Sequence, residues 1–341
     1  MTIPQTVHFV GSIALDTVDD VFRTCGHALG RRLKRIPDGE PGGRRLWISW
    51  QYPLLRASPY LAPADVTAIG DFRNLRIADG VDPADISFGE LGYAREARIS
   101  YQDFKTAQAR GDLPAGVKFQ VSLPTPAAVI LAFLPGQDGF AVLGPYTEAM
   151  IREVRAIADA IPHEDLCIQW DVCIEMVLWD GQPSIMPPLP NKEAIIPPAL
   201  GRLCDAVPGD VEVGIHLCYG DYDAKHFIEP QDMAKMVSLA NAIAEAAHHP
   251  LAYVHMPVPI SRDDAAFFAP LTDLKLDPGT EVYLGLVHED GPEATRRRIE
   301  AAAKVLPEFG IATECGIARQ RTPERVTKLI EIHAAASNEP V

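Results

Sequence analysis

The sequence contains no apolar run that approaches the ~20 residues needed for a membrane-spanning helix. Runs such as residues 127–133 stop far short of that length. The first ten residues have neither a basic segment nor a long apolar core, so no secretory signal peptide is expected. These absences predict a cytoplasmic globular protein without a membrane partner.

Positive charge is also scarce. The 341 residues include 31 Lys and Arg against 46 Asp and Glu, which gives a formal net charge of −15. Nucleic acids and anionic membranes favour a basic face, so neither is an expected partner.

Cysteine is limited to six residues without close regular spacing, which does not resemble a disulfide framework. In a reducing compartment such free thiolates can serve as metal ligands.

Three common catalytic signatures are missing as well. The sequence has no Gly-x-Ser-x-Gly nucleophile elbow, no dinucleotide-binding glycine fingerprint and no kinase motifs. The glycine-rich stretch at residues 39–43 lacks the Lys-Ser/Thr ending of a phosphate-binding loop. We therefore do not expect hydrolase-elbow, Rossmann or kinase chemistry.

What the sequence does contain is an alternation of short apolar, β-branched runs with longer stretches of helical spacing. This alternation predicts βαβ units and an α/β fold with a parallel sheet. Eight runs that fill the whole length favour a closed (β/α)₈ barrel, formed as one domain over residues 1–341. The region between residues 44 and 115 is long for one crossover and predicts an insertion in the N-terminal third. The runs are residues 7–10, 35–36, 117–121, 166–170, 211–215, 251–254, 282–286 and 311–313.

Polar or metal-capable side chains follow nearly every one of these runs. In barrels of this type the chemistry lies where the strands end and the βα loops begin. A row of such residues at one edge is typical of an active-site rim. The residues that follow the runs are Ser12, Asp38 and Glu40, Ser122, Asp171, His216 and Cys218, His255, His288, and Glu314 and Cys315.

The best-defined element is His216-x-Cys218. Side chains two residues apart lie on the same side of a strand, so this imidazole and thiolate can converge on one ion, with Cys315 as a third ligand. Zinc suits such a set of nitrogen and sulfur donors, and a catalytic zinc leaves one position open. The spacing alone leaves another interpretation open, in which the pair is a coincidence of composition and the cysteines are small buried apolar residues, since cysteine is among the most buried residue types.

Charged residues at the same edge are candidates for catalysis and substrate binding. Asp171 can bind an ammonium group or act as a base, although it could equally cap a helix or form an ion pair. Glu40 can do the same, but turns favour acidic residues in any case. Arg44 and Arg45 can clamp a carboxylate, sulfonate or phosphate, or they can be solvated surface residues. The remaining cysteines are predicted to be packing residues: Cys25, Cys167, Cys173 and Cys204.

The order of these segments resembles the catalytic C-terminal half of cobalamin-independent methionine synthase. The likeness extends over nearly the whole chain, without a counterpart of the amino-terminal half of the long methionine synthases. It implies a single-domain relative in the superfamily that also holds uroporphyrinogen decarboxylases and the zinc methyltransferases of coenzyme M metabolism. The segments are Gly11-Ser12, Gly39-Glu40-Pro41, residues 168–171, His216-Leu217-Cys218-Tyr219 and Glu314-Cys315-Gly316.

Carried over by position, the resemblance implies zinc ligation by His216, Cys218 and Cys315. It also implies substrate contacts from Ser12, Glu40 and Asp171; we add Arg44 to that set, as the clamp for an anionic group. The family's glutamate ligand corresponds here to His255, which can also bind zinc through its imidazole.

Two further departures concern the substrates. The acidic residue that usually follows the aspartate of the fourth strand is Val172, and the aromatic residue that stacks on folate has no counterpart after Ser122. Methylfolate is therefore a disfavoured donor, and we do not predict ordinary methionine synthesis. The prediction is a zinc-dependent alkyl or methyl transferase with a small thiol acceptor and a small-molecule alkyl donor.

Two other functions stay open. The first is a metal-free decarboxylase or lyase of the uroporphyrinogen decarboxylase type, in which Glu40, Asp171 and the arginines Arg44 and Arg45 would carry the chemistry. The second is a zinc-dependent binding or sensing protein without turnover. The oligomeric state, the thiol and the donor are not predicted by the sequence.

Overall fold

A computed structural model describes residues 4–67, 72–184, 187–220 and 225–338. Its centre is a curled sheet of seven parallel strands in the order β1-β4-β5-β6-β7-β8-β9. A separate antiparallel pair, β2 and β3, lies outside this sheet. The strands are β1 (Arg35–Pro37), β2 (Leu61–Thr67), β3 (Arg73–Ile77), β4 (Lys118–Pro124), β5 (Leu166–Val172), β6 (Glu212–Leu217), β7 (Leu251–Pro257), β8 (Glu281–Gly285) and β9 (Gly310–Ile311).

Eleven α-helices occur in the described residues, most of them between consecutive strands of the sheet. Several begin at threonine caps that accept a backbone N–H, as Thr17, Thr125 and Thr322 do. The helices are α1 (Val18–Leu29), α2 (Tyr52–Ala57), α3 (Tyr93–Arg110), α4 (Pro126–Phe133), α5 (Gln137–Ala160), α6 (Ile174–Asp180), α7 (Lys192–Asp205), α8 (Ala234–Ala246), α9 (Ala265–Phe268), α10 (Pro292–Ala303) and α11 (Pro323–Ala336). None is long and apolar enough to cross a membrane within this described part of the chain.

The structure confirms the α/β class and the parallel sheet, but not the complete eight-stranded barrel. The first predicted strand makes only single parallel bridges at Val7, to Leu33 on one side and to Ile311 on the other. It therefore touches both edges of the sheet without forming a ladder with either. The region between β1 and β4 contains the β2–β3 pair, α2 and α3. An insertion in the N-terminal third and a single domain over residues 1–341 stay predictions.

A buried polar network fills the inside of the sheet below the strand ends. Gln169 on β5 accepts a hydrogen bond from the Tyr253 hydroxyl at 2.8 Å and lies 2.9 Å from His8 Nε2. Its amide nitrogen donates to Asp171 Oδ1 at 2.8 Å. Gly214 makes room for the Tyr253 ring, because a Cβ there would lie 2.0 Å from it. Buried polar groups are stable only when paired, so this network fixes the position of the residues at the strand ends.

Candidate metal centre and active site

Three metal-capable side chains converge at the carboxyl ends of β6 and β9. The ligand atoms of His216, Cys218 and Cys315 all lie within 4.8 Å of one another, and the two sulfur atoms are 3.8 Å apart. His216 is the next-to-last residue of β6, and strand alternation places Cys218 on its side of the sheet. Cys315 arrives from the loop after β9. The convergence that the sequence predicts is present in the fold.

The hydrogen bonds of His216 show which of its nitrogens is available to a metal. Its Nδ1 lies 2.7 Å from Nδ1 of His255, and His255 Nε2 lies 3.0 Å from the carbonyl oxygen of Thr313. A carbonyl only accepts, so His255 Nε2 carries a proton and donates it. Burial lowers the pKa of His255 to about 3, so this ring is neutral and its Nδ1 must accept from His216.

With the protons on His255 Nε2 and His216 Nδ1, Nε2 of His216 has a lone pair and no proton. Among the described residues, that buried atom has no hydrogen-bond partner. A buried polar atom without a partner costs about 1–3 kcal/mol. A metal ion bound together with the two sulfur atoms would remove that cost. The donor set of one imidazole and two thiols therefore fits zinc.

The expectation that His255 is itself a ligand stays a prediction, since its ring nitrogens make other contacts in this structure. Both of its ring nitrogens are occupied, one by Thr313 and one by His216. Within the described part of the chain, the cluster of convergent ligand atoms comprises His216, Cys218 and Cys315 only. His255 instead holds the ring of His216, the arrangement by which outer partners orient metal-binding histidines.

A further thiol that the sequence analysis assigned to packing lies beside the cluster. The Cys173 side chain hydrogen-bonds Cys218, and this is the main reason why the pKa of Cys218 lies well above its ordinary value. The Gly220 N–H donates to Cys218 Sγ at 3.3 Å and favours the thiolate. No sequence signal separates Cys173 from the other buried cysteines, because its proximity depends on the β5–β6 register.

Glu40 and Asp171 form a second cluster at the same edge. Asp171 stands opposite His216 in the β5–β6 register. Burial raises the pKa of Asp171 to about 7, against the stabilising hydrogen bonds from Gln169 and Trp47. Burial, and then the charge of Asp171, raises the pKa of Glu40 to about 8. Both carboxyl groups can therefore hold or release a proton near neutral pH.

The loop that carries Glu40 is fixed by residues the sequence analysis did not assign. Glu40 has a φ of 52°, a conformation that non-glycine residues rarely adopt. Its N–H donates to Asp38 Oδ1 at 2.9 Å, and Ser100 donates to Asp38 Oδ2 at 2.6 Å. Trp47 donates its indole N–H to Asp171 at 3.1 Å. Such strain persists where the surroundings enforce it, often at functional sites.

The guanidinium of Arg44 forms ion pairs within the protein and is not available to bind a substrate. Its guanidinium lies 2.7 Å from Asp38 and 3.5 Å from Glu96. Arg45 donates to the carbonyl oxygen of Leu15 at 3.1 Å. The predicted anion clamp at Arg44 is therefore part of the support beneath Glu40 in this structure.

Ser12 lies against the loop that carries Cys315. The Ile317 N–H donates to the Ser12 carbonyl at 2.6 Å, and a Cβ on Gly316 would lie 2.3 Å from Ser12 Oγ. A cavity of about 500 Å³ opens on the other side of this loop, with Cys315 in its wall. A cavity of this size is large enough for a small organic ligand.

The chain was compared with protein-family models, curated proteins and solved structures. No family model and no curated protein matches it. Its fold is similar to a B12-independent methionine synthase from Shewanella sp. W3-18-1, with a TM-score of 0.63, 13% identity and coverage of 98% of this chain and 97% of that one. For a putative vitamin-B12-independent methionine synthase from Listeria monocytogenes, the TM-score is 0.60 and the identity is 16%, with coverage of 98% of this chain and 98% of that one. For a methyltransferase from Methanosarcina mazei, the TM-score is 0.54 and the identity is 11%, with coverage of 98% of this chain and 94% of that one.

The protein is an α/β protein built on a curled parallel sheet. Its fold is similar over nearly the full length to that of B12-independent methionine synthases. The resemblance stated from the sequence is confirmed at the level of the fold.

Proposed function

We propose that this chain is a metal-dependent alkyl or methyl transferase that uses a small thiol as acceptor. The observation that carries the proposal is the buried Nε2 of His216, which has no hydrogen-bond partner in the described part of the chain, together with the sulfur atoms of Cys218 and Cys315. The fold similarity to two B12-independent methionine synthases and a methyltransferase supports the same reaction class.

His216, Cys218 and Cys315 would hold the metal, and zinc suits this donor set. When bound, zinc supplies the Lewis acidity that lowers the pKa of a substrate thiol, so that a thiolate is available at neutral pH. In the transfer, a sulfur–carbon bond forms while the bond between that carbon and its carrier breaks. Asp171 is suited to accept the thiol proton, because its pKa is about 7.

The remaining residues of the site would orient the thiol substrate. The carboxyl oxygens of Glu40 and Asp171 can accept hydrogen bonds from an ammonium group, and Ser12 lies next to the Cys315 loop. The carboxyl group of Glu40 holds its proton at neutral pH and can donate a hydrogen bond. We do not propose ordinary methionine synthesis, because Val172 and the segment after Ser122 lack the family's acidic and folate-stacking residues. Methylfolate stays a disfavoured donor.

The test is elemental analysis of protein purified without chelators, for the native chain and two cysteine variants. We expect about one zinc per chain in the native protein. Cys218→Ser should lose the metal, whereas Cys204→Ser, a buried thiol on α7, should keep it. A native protein without metal, or a Cys218→Ser variant with normal metal content, contradicts the proposal.

The raised pKa values of Glu40 and Asp171 would also suit the alternative, a metal-free decarboxylase or lyase. That reaction would depend on the carboxyl groups and not on the thiols. Loss of activity in Asp171→Asn with Cys315→Ala unaffected would support the alternative. Loss of activity in both variants supports the metal-dependent transfer.

A further inference from the structure

The cavity beside Cys315 contains an arginine whose contacts leave part of its guanidinium free. Arg321 lies in the cavity wall and is 20% exposed. Its Nε donates to Glu289 Oε1 at 3.0 Å. In the described part of the chain its two terminal nitrogens have no hydrogen-bond partner. The planar fork of an arginine matches the two oxygens of a carboxylate.

The other arginines of the cavity, Arg262 and Arg325, each donate three hydrogen bonds within the protein. Arg325 donates to both oxygens of Glu289 at 2.8 Å and, through its Nη1, to the Gln320 carbonyl. Arg262 donates to Asp264 and to the Gln231 carbonyl. These two residues can therefore shape the cavity but have little left for a ligand.

Glu289 and Arg325 act together on the position of Arg321. Two arginines share the Glu289 carboxylate, so its single negative charge neutralises only part of their positive charge. The contact with Arg321 is made through Nε. Although burial opposes ionisation, the hydrogen bonds from Arg325 and Arg321 keep the pKa of Glu289 below its ordinary value. The carboxylate therefore stays ionised and keeps the arginine in place at neutral pH.

The cavity carries an excess of basic side chains, and neither Glu40 nor Asp171 lies in its wall. The cavity on the Cys315 side contains Lys225, Arg262, Arg321 and Arg325 against three carboxylates. One of these, Glu289, is bound by the two arginines, and Glu314 lies 3.4 Å from His288.

We infer that Arg321 binds the carboxylate of the second reactant, the alkyl donor, and places its electrophilic carbon beside the metal-binding thiols. The inference rests on the proposed function for the identity of that reactant. The anion site itself depends only on the cavity, Arg321 and Glu289. Arg321 is the binding residue, and Glu289 and Arg325 are positioning residues.

The test is the alkylation of Cys315 in the protein as purified, with iodoacetate and with iodoacetamide. In both reactions the sulfur–carbon bond forms, the carbon–iodine bond breaks and iodide leaves. The reagents differ in that only iodoacetate carries a carboxylate. Peptide mass spectrometry gives the rate at Cys315 for each reagent, and the ratio of the two rates cancels differences in thiol reactivity.

Arg321→Gln is expected to lower the iodoacetate-to-iodoacetamide ratio by roughly five- to tenfold, the loss expected for a charged hydrogen bond at a partly exposed site. Arg321→Lys should retain part of the preference. The matched control is Arg297→Gln on α10, since Arg297 also donates its Nε to one carboxylate, Asp263, at 3.2 Å but lies outside the cavity. This control should leave the ratio unchanged.

Equal ratios in the native protein and Arg321→Gln, or an equal fall in Arg297→Gln, would overturn the inference. A bound metal would protect Cys315, so samples that contain metal are labelled again after treatment with a chelator. Absence of labelling at Cys315 by either reagent in metal-free protein would also overturn the inference, because the cavity would then not admit a ligand to that thiol. The metal content of the protein as purified separates the two proposals. A fall in the ratio in protein that was purified without metal supports the anion site and contradicts only the metal-dependent transfer.

Discussion

His216 and His255 lie in register on adjacent strands, with their Nδ1 atoms 2.7 Å apart. The carbonyl of Thr313 fixes the proton of His255, and His255 in turn fixes the proton of His216. One backbone carbonyl from the Cys315 loop thus determines that Nε2 of His216 carries the free lone pair.

His255→Gln should weaken metal binding by about 10–100-fold, the usual effect of removing an outer partner of a ligand histidine. The measurement is competition with a chromophoric chelator. His249→Gln is the control, because both ring nitrogens of His249 also make hydrogen-bond contacts, to the carbonyl oxygens of Pro250 and Pro208, but His249 lies before the start of β7. If both variants bind metal equally well, His255 does not position His216.

Removal of metal should lower the melting temperature of the native protein. A ligand that binds only the folded state stabilises it by an amount that grows with the logarithm of its concentration relative to its Kd. Chelator should therefore reduce Tm in the native chain and have no effect on Cys315→Ser, which we expect to be metal-free. Equal shifts in the two proteins would indicate that the chelator acts elsewhere.

Gly316→Ala should destabilise the Cys315 loop by about 1–3 kcal/mol, because a new Cβ would overlap Ser12. The Cβ would lie 2.3 Å from Ser12 Oγ and 3.2 Å from its backbone nitrogen. Gly279→Ala is the matched control, since nothing lies within 4 Å of its Cβ position. Urea unfolding of both variants checks the difference. In a Ser12→Ala background the cost should be smaller, and an unchanged cost would show that the overlap lies elsewhere.

The stability of the protein should fall as pH rises from about 4.5 to about 8 because of Glu40. Its pKa is about 8 in the folded state, above its ordinary value of 4.5. Between these values the folded state binds more protons than the unfolded state, so raising the pH favours unfolding.

Glu40→Gln removes this titration and should increase the free energy of unfolding at pH 8.5 by about 1–3 kcal/mol, with little change at pH 4.5. Urea unfolding at the two pH values is the measurement. Glu90→Gln, at an exposed position, should have no such effect. A Glu40→Gln variant with the native pH dependence would show that other groups dominate it.

The sequence by itself determined the fold class and the convergence of His216, Cys218 and Cys315. Seven of the eight predicted runs became strands of one parallel sheet, because alternation between β-branched and helical segments is a local property of the chain. The His-x-Cys pair is also local, since alternation along one strand places both side chains on one side.

Only the tertiary structure decided how the neighbouring residues are used. Sequence order cannot show that the two ring nitrogens of His255 contact Thr313 and His216, or that Cys173 contacts Cys218. These contacts depend on the register between strands that are far apart in the chain. Arg44 and Arg321 illustrate the same limit. The sequence does not show that an ion pair with Asp38 occupies Arg44, or that Arg321 lies beside a cavity with two terminal nitrogens that have no hydrogen-bond partner among the described residues.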